Sequence, residues 1–315
     1  MDHNRVDGGY KMKFSIFTDM LGTESFQESL EHAKNLGFTN IDLRGKLNGS
    51  TIDDVTLEKA RVLSEMIQEQ GLQVSSLSSW AVNSCTFSGP PKYDNHDEEH
   101  HKQMEEVLNR LIDLADIFGS TFIRIYSLYR QEDFNLLSDE EKDAQYRHNA
   151  NIMLRHAEQA KSRNKILLVE NEPPTLTNSA KELGILMKYT NHPNLKVNWD
   201  VLNGWRAGEY PTVEAYEHIK GHVYQTHLKG AYRLSNSITK ENPTGTFGNF
   251  AIAGKDDYDH TPVMKAIAEN DPQAILTIDT HYPSFYVQDR IGEVEVVRQT
   301  KAFFEQTVAK EGAHE

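Results

Sequence analysis

The sequence is poor in the features that would tie it to a cell surface, a membrane or a nucleic acid. Its 315 residues include one cysteine, Cys85. A single thiol cannot close an intrachain disulfide, which fits a reducing compartment, and Cys85 is read as a small buried residue rather than a nucleophile. No run approaches the ~18 to 20 uninterrupted apolar residues of a membrane-spanning helix. Residues 1–10 lack the apolar stretch of a signal peptide, so the cytoplasm is the expected location. Positive charge is in the minority, with 33 Lys and Arg against 47 Asp and Glu, a net charge of −14. Phosphate binding depends on Lys and Arg, so neither nucleic acid nor an anionic membrane is an expected partner. The turn after the first apolar run, Phe17-Thr18-Asp19-Met20, has none of the glycines of a dinucleotide-binding turn. No Pro/Gly/Ser-rich tract divides the chain.

What is present is a regular alternation of short apolar runs with longer amphipathic ones. The spacing predicts strands over 12–18, 39–43, 72–77, 121–126, 165–170, 195–200, 222–228 and 274–279. It predicts helices over 25–36, 56–70, 100–118, 139–163, 179–189, 213–219, 261–269 and 292–309. Gly37, Gly71 and Gly119 each follow a helical run, the usual place for a stop. Eight β-then-α units argue for a parallel sheet closed on itself. The expected fold is therefore α/β, a single (β/α)8 TIM barrel over 12–315 behind a polar extension at 1–11. The long loops at 79–95 and 231–257 follow strands and belong on the active face.

Function in such a barrel sits at the C-terminal ends of the strands. The fifth strand ends in Glu170, the sixth in Asp200, the seventh beside His227 and the eighth in Asp279, at spacings of 30, 27 and 52 residues. Neighbouring strands lie about 4.8 Å apart, so these tips can converge on one ion. Three carboxylates and one imidazole suit one divalent cation, Mn2+, Mg2+, Co2+ or Zn2+, and not a structural zinc site, which prefers Cys and His.

In this order, VENEP (169–173), NWD (198–200), HLKG (227–230) and TIDTH (277–281) resemble the xylose-isomerase-like barrel superfamily of sugar isomerases and epimerases. The resemblance runs from residue 12 to about residue 309. It implies a single divalent ion on Glu170, Asp200, His227 and the acid of the eighth strand, and a substrate-contacting arginine at Arg233. Two positions depart from the family pattern. Asp279 stands where members most often carry Glu, and Asn203 where ketose epimerases of the family carry His.

The resemblance implies a small sugar substrate that loses a proton beside its carbonyl. A metal stabilises the resulting enediolate as a Lewis acid, and Glu170 and Asp279, from opposite sides of the ligand set, are expected to take and return the proton. Arg233, Asn203, Trp80, Glu172 and His281 are the expected substrate-binding or ligand-orienting residues. Lys229 is expected to pair with an acid, and Phe17 to pack beneath the barrel mouth. The leading reading is a metal-dependent isomerase or epimerase, with a homo-oligomer allowed. The same site would serve a lyase that dehydrates a cyclic polyol. A DNA-repair endonuclease of the related barrel family would need three metals and more ligands, and a non-catalytic sugar-binding barrel an incomplete set. His96-Asp97-Glu98-Glu99-His100 matches an inverted zinc-peptidase pattern but reads as a solvated helix start. The glycine pair Gly245 and Gly248 is too common a feature to indicate a phosphate site.

Overall fold

Eight short parallel strands in the computed structural model form one sheet with helices between them. The structure describes residues 5–6, 9–10, 12–82, 98–130, 133–281 and 291–309. The strands are β1 Lys13–Ile16, β2 Asn40–Leu43, β3 Gln73–Ser78, β4 Phe122–Tyr126, β5 Ile166–Glu170, β6 Leu195–Asp200, β7 Val223–Leu228 and β8 Ile275–Ile278. Their order, β1-β8-β7-β6-β5-β4-β3-β2, is that of a barrel opened between β1 and β2. A parallel bridge between Phe17 and Asp42 nearly closes that gap.

The helices that pack between the strands are α1 Phe26–Asn35, α2 Leu57–Glu69, α3 Glu98–Phe118, α4 Asp139–Lys161, α5 Ala180–Thr190, α6 Val213–Tyr216, α7 Thr261–Asn270 and α8 Glu293–Ala309, and a further single helical turn, Asn203–Arg206, follows β6. Local chemistry starts them. Ser25, Thr56, Ser179 and Thr212 each accept a backbone N–H of the first turn, and Ser138 with Glu141 forms a reciprocal capping box. Gly37, Gly71 and Gly119 have φ of 76°, 71° and 70°, as a left-handed helix stop requires.

Most strand residues are buried, because helices cover the outside and side chains fill the inside. The side-chain alternation of a strand stacks the interior in layers. Below the rim, Asp42 accepts hydrogen bonds from Ser76 Oγ and Thr277 Oγ1, both at 2.6 Å, and from Gln225 Nε2 at 3.1 Å. Two residues further along their strands, Arg44, His227 and Asp279 reach the rim. The ends of the strands and the loops that follow them carry the site.

Three features differ from the sequence expectation. The helix expected over 213–219 is a single turn. After β7 the chain forms an antiparallel hairpin, Gly230–Arg233 with Phe247–Ala251. Residues 234–246 separate its strands, so it lacks the two-residue turn that signals a hairpin in sequence. A Cβ at Gly230 would lie 2.6 Å from the Ala251 carbonyl oxygen, so the close approach of the strands depends on that glycine. Within the expected polar extension, Arg5–Val6 pairs antiparallel with Gly9–Tyr10. Among the described residues no helix is long and apolar enough to cross a membrane. Cys85, His96 and Asp97 lie outside the described residues.

Candidate metal centre

Among the described residues, Glu170, Asp200 and His227 bring ligand atoms to within 4.8 Å of one another, all buried. The residues come from the ends of β5, β6 and β7, three adjacent strands. His227 Nδ1 lies 3.0 Å from Glu170 Oε1 and 3.9 Å from Asp200 Oδ2. Ligand atoms that share an ion at about 2.1 Å each stand about 3 to 4 Å apart, so these separations fit. Asp200 Oδ1 accepts the backbone N–H groups of Leu202 and Asn203. Its Oδ2 is buried and faces the Lys229 ammonium at 2.7 Å, so positive charge already stands against this oxygen. The donor set of two carboxylates and an imidazole is that of a divalent cation.

Residues outside this trio hold it in place. Asn171 donates to the Asp200 carbonyl and accepts the Asp200 N–H, locking the ends of β5 and β6 together. Asn198 Nδ2 lies 2.9 Å from His227 Nε2, while Asn198 Oδ1 is buried without a partner. Turning that amide over lets a protonated Nε2 donate to Oδ1, which leaves Nδ1 free for an ion. Arg124 Nε approaches Glu170 Oε2 at 3.0 Å. Burial raises the Glu170 pKa, but the neighbouring His227 and Arg124 outweigh it and keep the carboxyl below its usual range.

Asp279 lies just past β8 at the same rim, with Oδ2 3.9 Å from His227 Nδ1. Its carboxylate is held by two cations and an imidazole. Arg44 Nη1 and Nη2 reach Oδ1 at 3.3 Å each, and Lys229 Nζ and His281 Nε2 reach Oδ2 at 3.0 and 2.9 Å. Burial raises its pKa, but His281, Lys229 and Arg44 together hold it well below the ordinary value. Lys229 Nζ also lies 2.7 Å from Asp200 Oδ2, so the lysine pairs with two acids.

The remaining expected site residues fall into distinct places. His281 stacks on Phe250 at 4.8 Å, in a left-handed backbone conformation with φ of 52°. Trp80 is half-buried at the mouth, with the Arg44 guanidinium 5.7 Å from its ring. Phe17 is fully buried, 4.0 Å beneath Arg44, and meets His227 edge-on. Glu172 is buried beside Arg206, and burial together with the Glu170 charge pushes it up to about 7. Asn203, expected at a substrate hydroxyl, spends its amide on the protein. Its Nδ2 donates to Glu172 Oε2 at 2.8 Å and to the Asn171 carbonyl, and its Oδ1 accepts from Arg206. Arg233, expected at the substrate, donates from Nε to the Thr244 carbonyl and from Nη2 to Tyr210 Oη, ties that hold the hairpin. Gly245 also belongs to the hairpin, where its carbonyl accepts from Trp205 Nε1.

Arg44, Arg124 and Asn171 escaped the sequence reading. Arg44 immediately follows the last residue of β2, so the strand-end rule that found the acids also points to it. Arg124 carried a weaker signal, one charged residue at an inward position of FIRIY.

A family model described as xylose isomerase-like TIM barrel matches residues 30–307. A 3-dehydroshikimate dehydratase of Bacillus anthracis is 23% identical over 221 residues, 69% of this chain and 71% of that protein. Among solved structures, the IOLI protein with a bound zinc atom superposes with a TM-score of 0.69 at 13% identity, covering 96% of this chain and 100% of its own. An L-ribulose 3-epimerase superposes with a TM-score of 0.67 at 15% identity, covering 94% of each chain. At such identities the solved structures speak for the fold alone. The match to the family model spans most of the chain, and the protein belongs to the xylose isomerase-like TIM barrel family.

Proposed function

We propose that the protein is a metal-dependent enzyme that moves a proton at a carbon beside the carbonyl of a small sugar or sugar derivative, as an isomerase or epimerase. The observation that carries this reading is the meeting of Glu170, Asp200 and His227 at the rim of the barrel. A divalent ion held by these three residues supplies Lewis acidity toward neighbouring carbonyl and hydroxyl oxygens of the substrate. Glu170, kept ionised by its charged neighbours, is the base that takes the proton. Arg124 fixes its orientation from the neighbouring strand. Across the site, Asp279 is engaged by four donors and makes a poor second base. Lys229 and His281 stand on that side and are the groups placed to return a proton to the opposite face. Trp80 offers an aromatic edge of the mouth to the apolar side of a sugar.

A second reading, loss of water from a cyclic polyhydroxylated ketone, has a specific observation in its favour. Arg44, Lys229 and His281 gather around Asp279 on one wall, where a protonated Lys229 or His281 would supply the acid that a departing hydroxyl needs. The 3-dehydroshikimate dehydratase relative supports this alternative at the level of the family.

The deciding experiment loads the protein with Mn2+ and incubates it with a panel of ketoses and cyclic hydroxyketones in D2O. Proton NMR then reads deuterium uptake, and ultraviolet absorbance reads formation of a conjugated product. Uptake with conserved composition supports the isomerase or epimerase. Loss of water supports the lyase. Binding with neither change would overturn both.

A further inference from the structure

Asp279 occupies the strand end at which a fourth metal ligand is expected, yet its surroundings suit another task. A carboxylate has about four acceptor positions. Arg44 supplies two donors to Oδ1, and Lys229 and His281 supply one each to Oδ2. The group is 2% exposed, so four donors fill it and no solvent exchanges with them. Arg44 is braced from its other side by Asp19, at 3.0 and 3.1 Å. Asp200 Oδ2 is less crowded, an inward oxygen whose close donor is the Lys229 ammonium at 2.7 Å. Lys229 is 1% exposed, lies between Asp200 and Asp279, and has its charge balanced by those two acids. Asp is one methylene shorter than Glu, which keeps the carboxylate of the eighth strand back among these cations.

We propose that the ion is held by three protein ligands, Glu170, Asp200 and His227, and that Asp279 is a positioning residue that seats Lys229 against Asp200. The lysine ammonium and the ion then share the Asp200 carboxylate and oppose each other across it. This arrangement weakens ion binding and leaves more coordination positions for substrate oxygens than four protein ligands would. The inference rests on the reading that a divalent ion binds at this rim.

The test is calorimetric titration of Mn2+ into the full-length protein and into Asp200→Asn, Asp279→Asn and Lys229→Met, each checked for native circular dichroism. Asp200→Asn is expected to weaken binding by at least about 100-fold. Asp279→Asn is expected to change it by less than about fivefold, and Lys229→Met, which removes the opposing charge, to tighten it by about tenfold. A loss in Asp279→Asn as large as that in Asp200→Asn overturns the proposal, and so does unchanged or weaker binding in Lys229→Met. A wild-type crystal soaked in Mn2+ decides the matter if a variant does not fold. An ion on Glu170, Asp200 and His227, with Asp279 still on Lys229, supports the proposal; a bond between the ion and Asp279 overturns it while leaving the metal reading intact. Failure of the wild type and of Lys229→Met to take up Mn2+ overturns both.

Discussion

Arg124 Nε lies 3.0 Å from Glu170 Oε2, and both side chains are almost wholly shielded from solvent. The acid at the end of β5 therefore carries its counter-charge on the next strand, β4. Arg124 Nη1 is in turn anchored on the Ser79 carbonyl at 2.8 Å, and its guanidinium stands 4.3 Å from the Tyr126 ring. The proposed base is thus fixed by a partner that is itself anchored and almost wholly buried.

Glu170→Gln keeps the shape of the side chain but removes the base and weakens the ion site. Turnover is expected to fall by at least about 100-fold, the lower range for loss of a general base, with native far-ultraviolet circular dichroism retained. Assay on a substrate identified by the D2O screen checks this. Wild-type rates in the variant would remove Glu170 from the mechanism.

Arg124→Met leaves the Glu170 charge buried beside fewer cations. Breaking a buried pair by removing one partner costs about 3 to 5 kcal/mol, so the urea midpoint is expected to fall well below that of the wild type. The double variant Arg124→Met/Glu170→Gln is expected to be more stable than the sum of its two single losses predicts. Additive losses would show that the pair is uncoupled.

Gly184→Ala sets two known magnitudes against each other. Alanine in place of glycine inside a helix such as α5 gains about 1 kcal/mol in propensity. The new Cβ would lie 2.5 Å from the His218 carbonyl oxygen, a backbone atom that cannot swing aside. Overpacking of this kind costs about 1 to 3 kcal/mol, and at so short a contact the clash is expected to win. Chemical denaturation should show a net loss of about 1 kcal/mol or more. A more stable variant would show that α5 and the His218 backbone separate freely.

Asp42 is a buried acid outside the metal trio, and its pKa is raised by burial against the hydrogen bonds of Ser76 and Thr277. Below the unfolded value of about 3.9, both states hold the proton and the contribution of Asp42 to stability is fully present. As pH rises, the unfolded chain releases its proton first, so this stability is lost through the folded pKa. Asp42→Asn has no such titration. Its stability relative to wild type is therefore expected to increase as pH rises above about 4, read by urea denaturation at each pH. A difference that does not change with pH would mean that Asp42 titrates as it does in the unfolded chain.

Much of the fold is legible along the chain, because helix and strand periodicities are local and the caps lie within a few residues of the turns they serve. The predicted strand over 195–200 coincides with β6 at both ends. The hairpin after β7 is not legible, since 13 residues, 234–246, separate its paired strands. The acids of the site are legible because each stands at the end of a strand. The cations are less legible because their partners are distant in sequence: Arg44 and Asp279 are 235 residues apart, and Arg124 lies 46 residues before Glu170.

By itself, the amino-acid sequence determined eight β/α repeats and the acids and histidine that tip the last four strands, since residue pattern and strand alternation suffice for both. Only the tertiary structure decided which of those tips face a common point and which are already paired. That Lys229 stands between Asp200 and Asp279, while Asn203 and Arg233 turn to the protein's own backbone and side chains, depends on how far side chains of different length reach across the closed barrel. Electrostatic partnership in a buried site is a matter of a few ångströms in space, and spacing along the chain does not encode it.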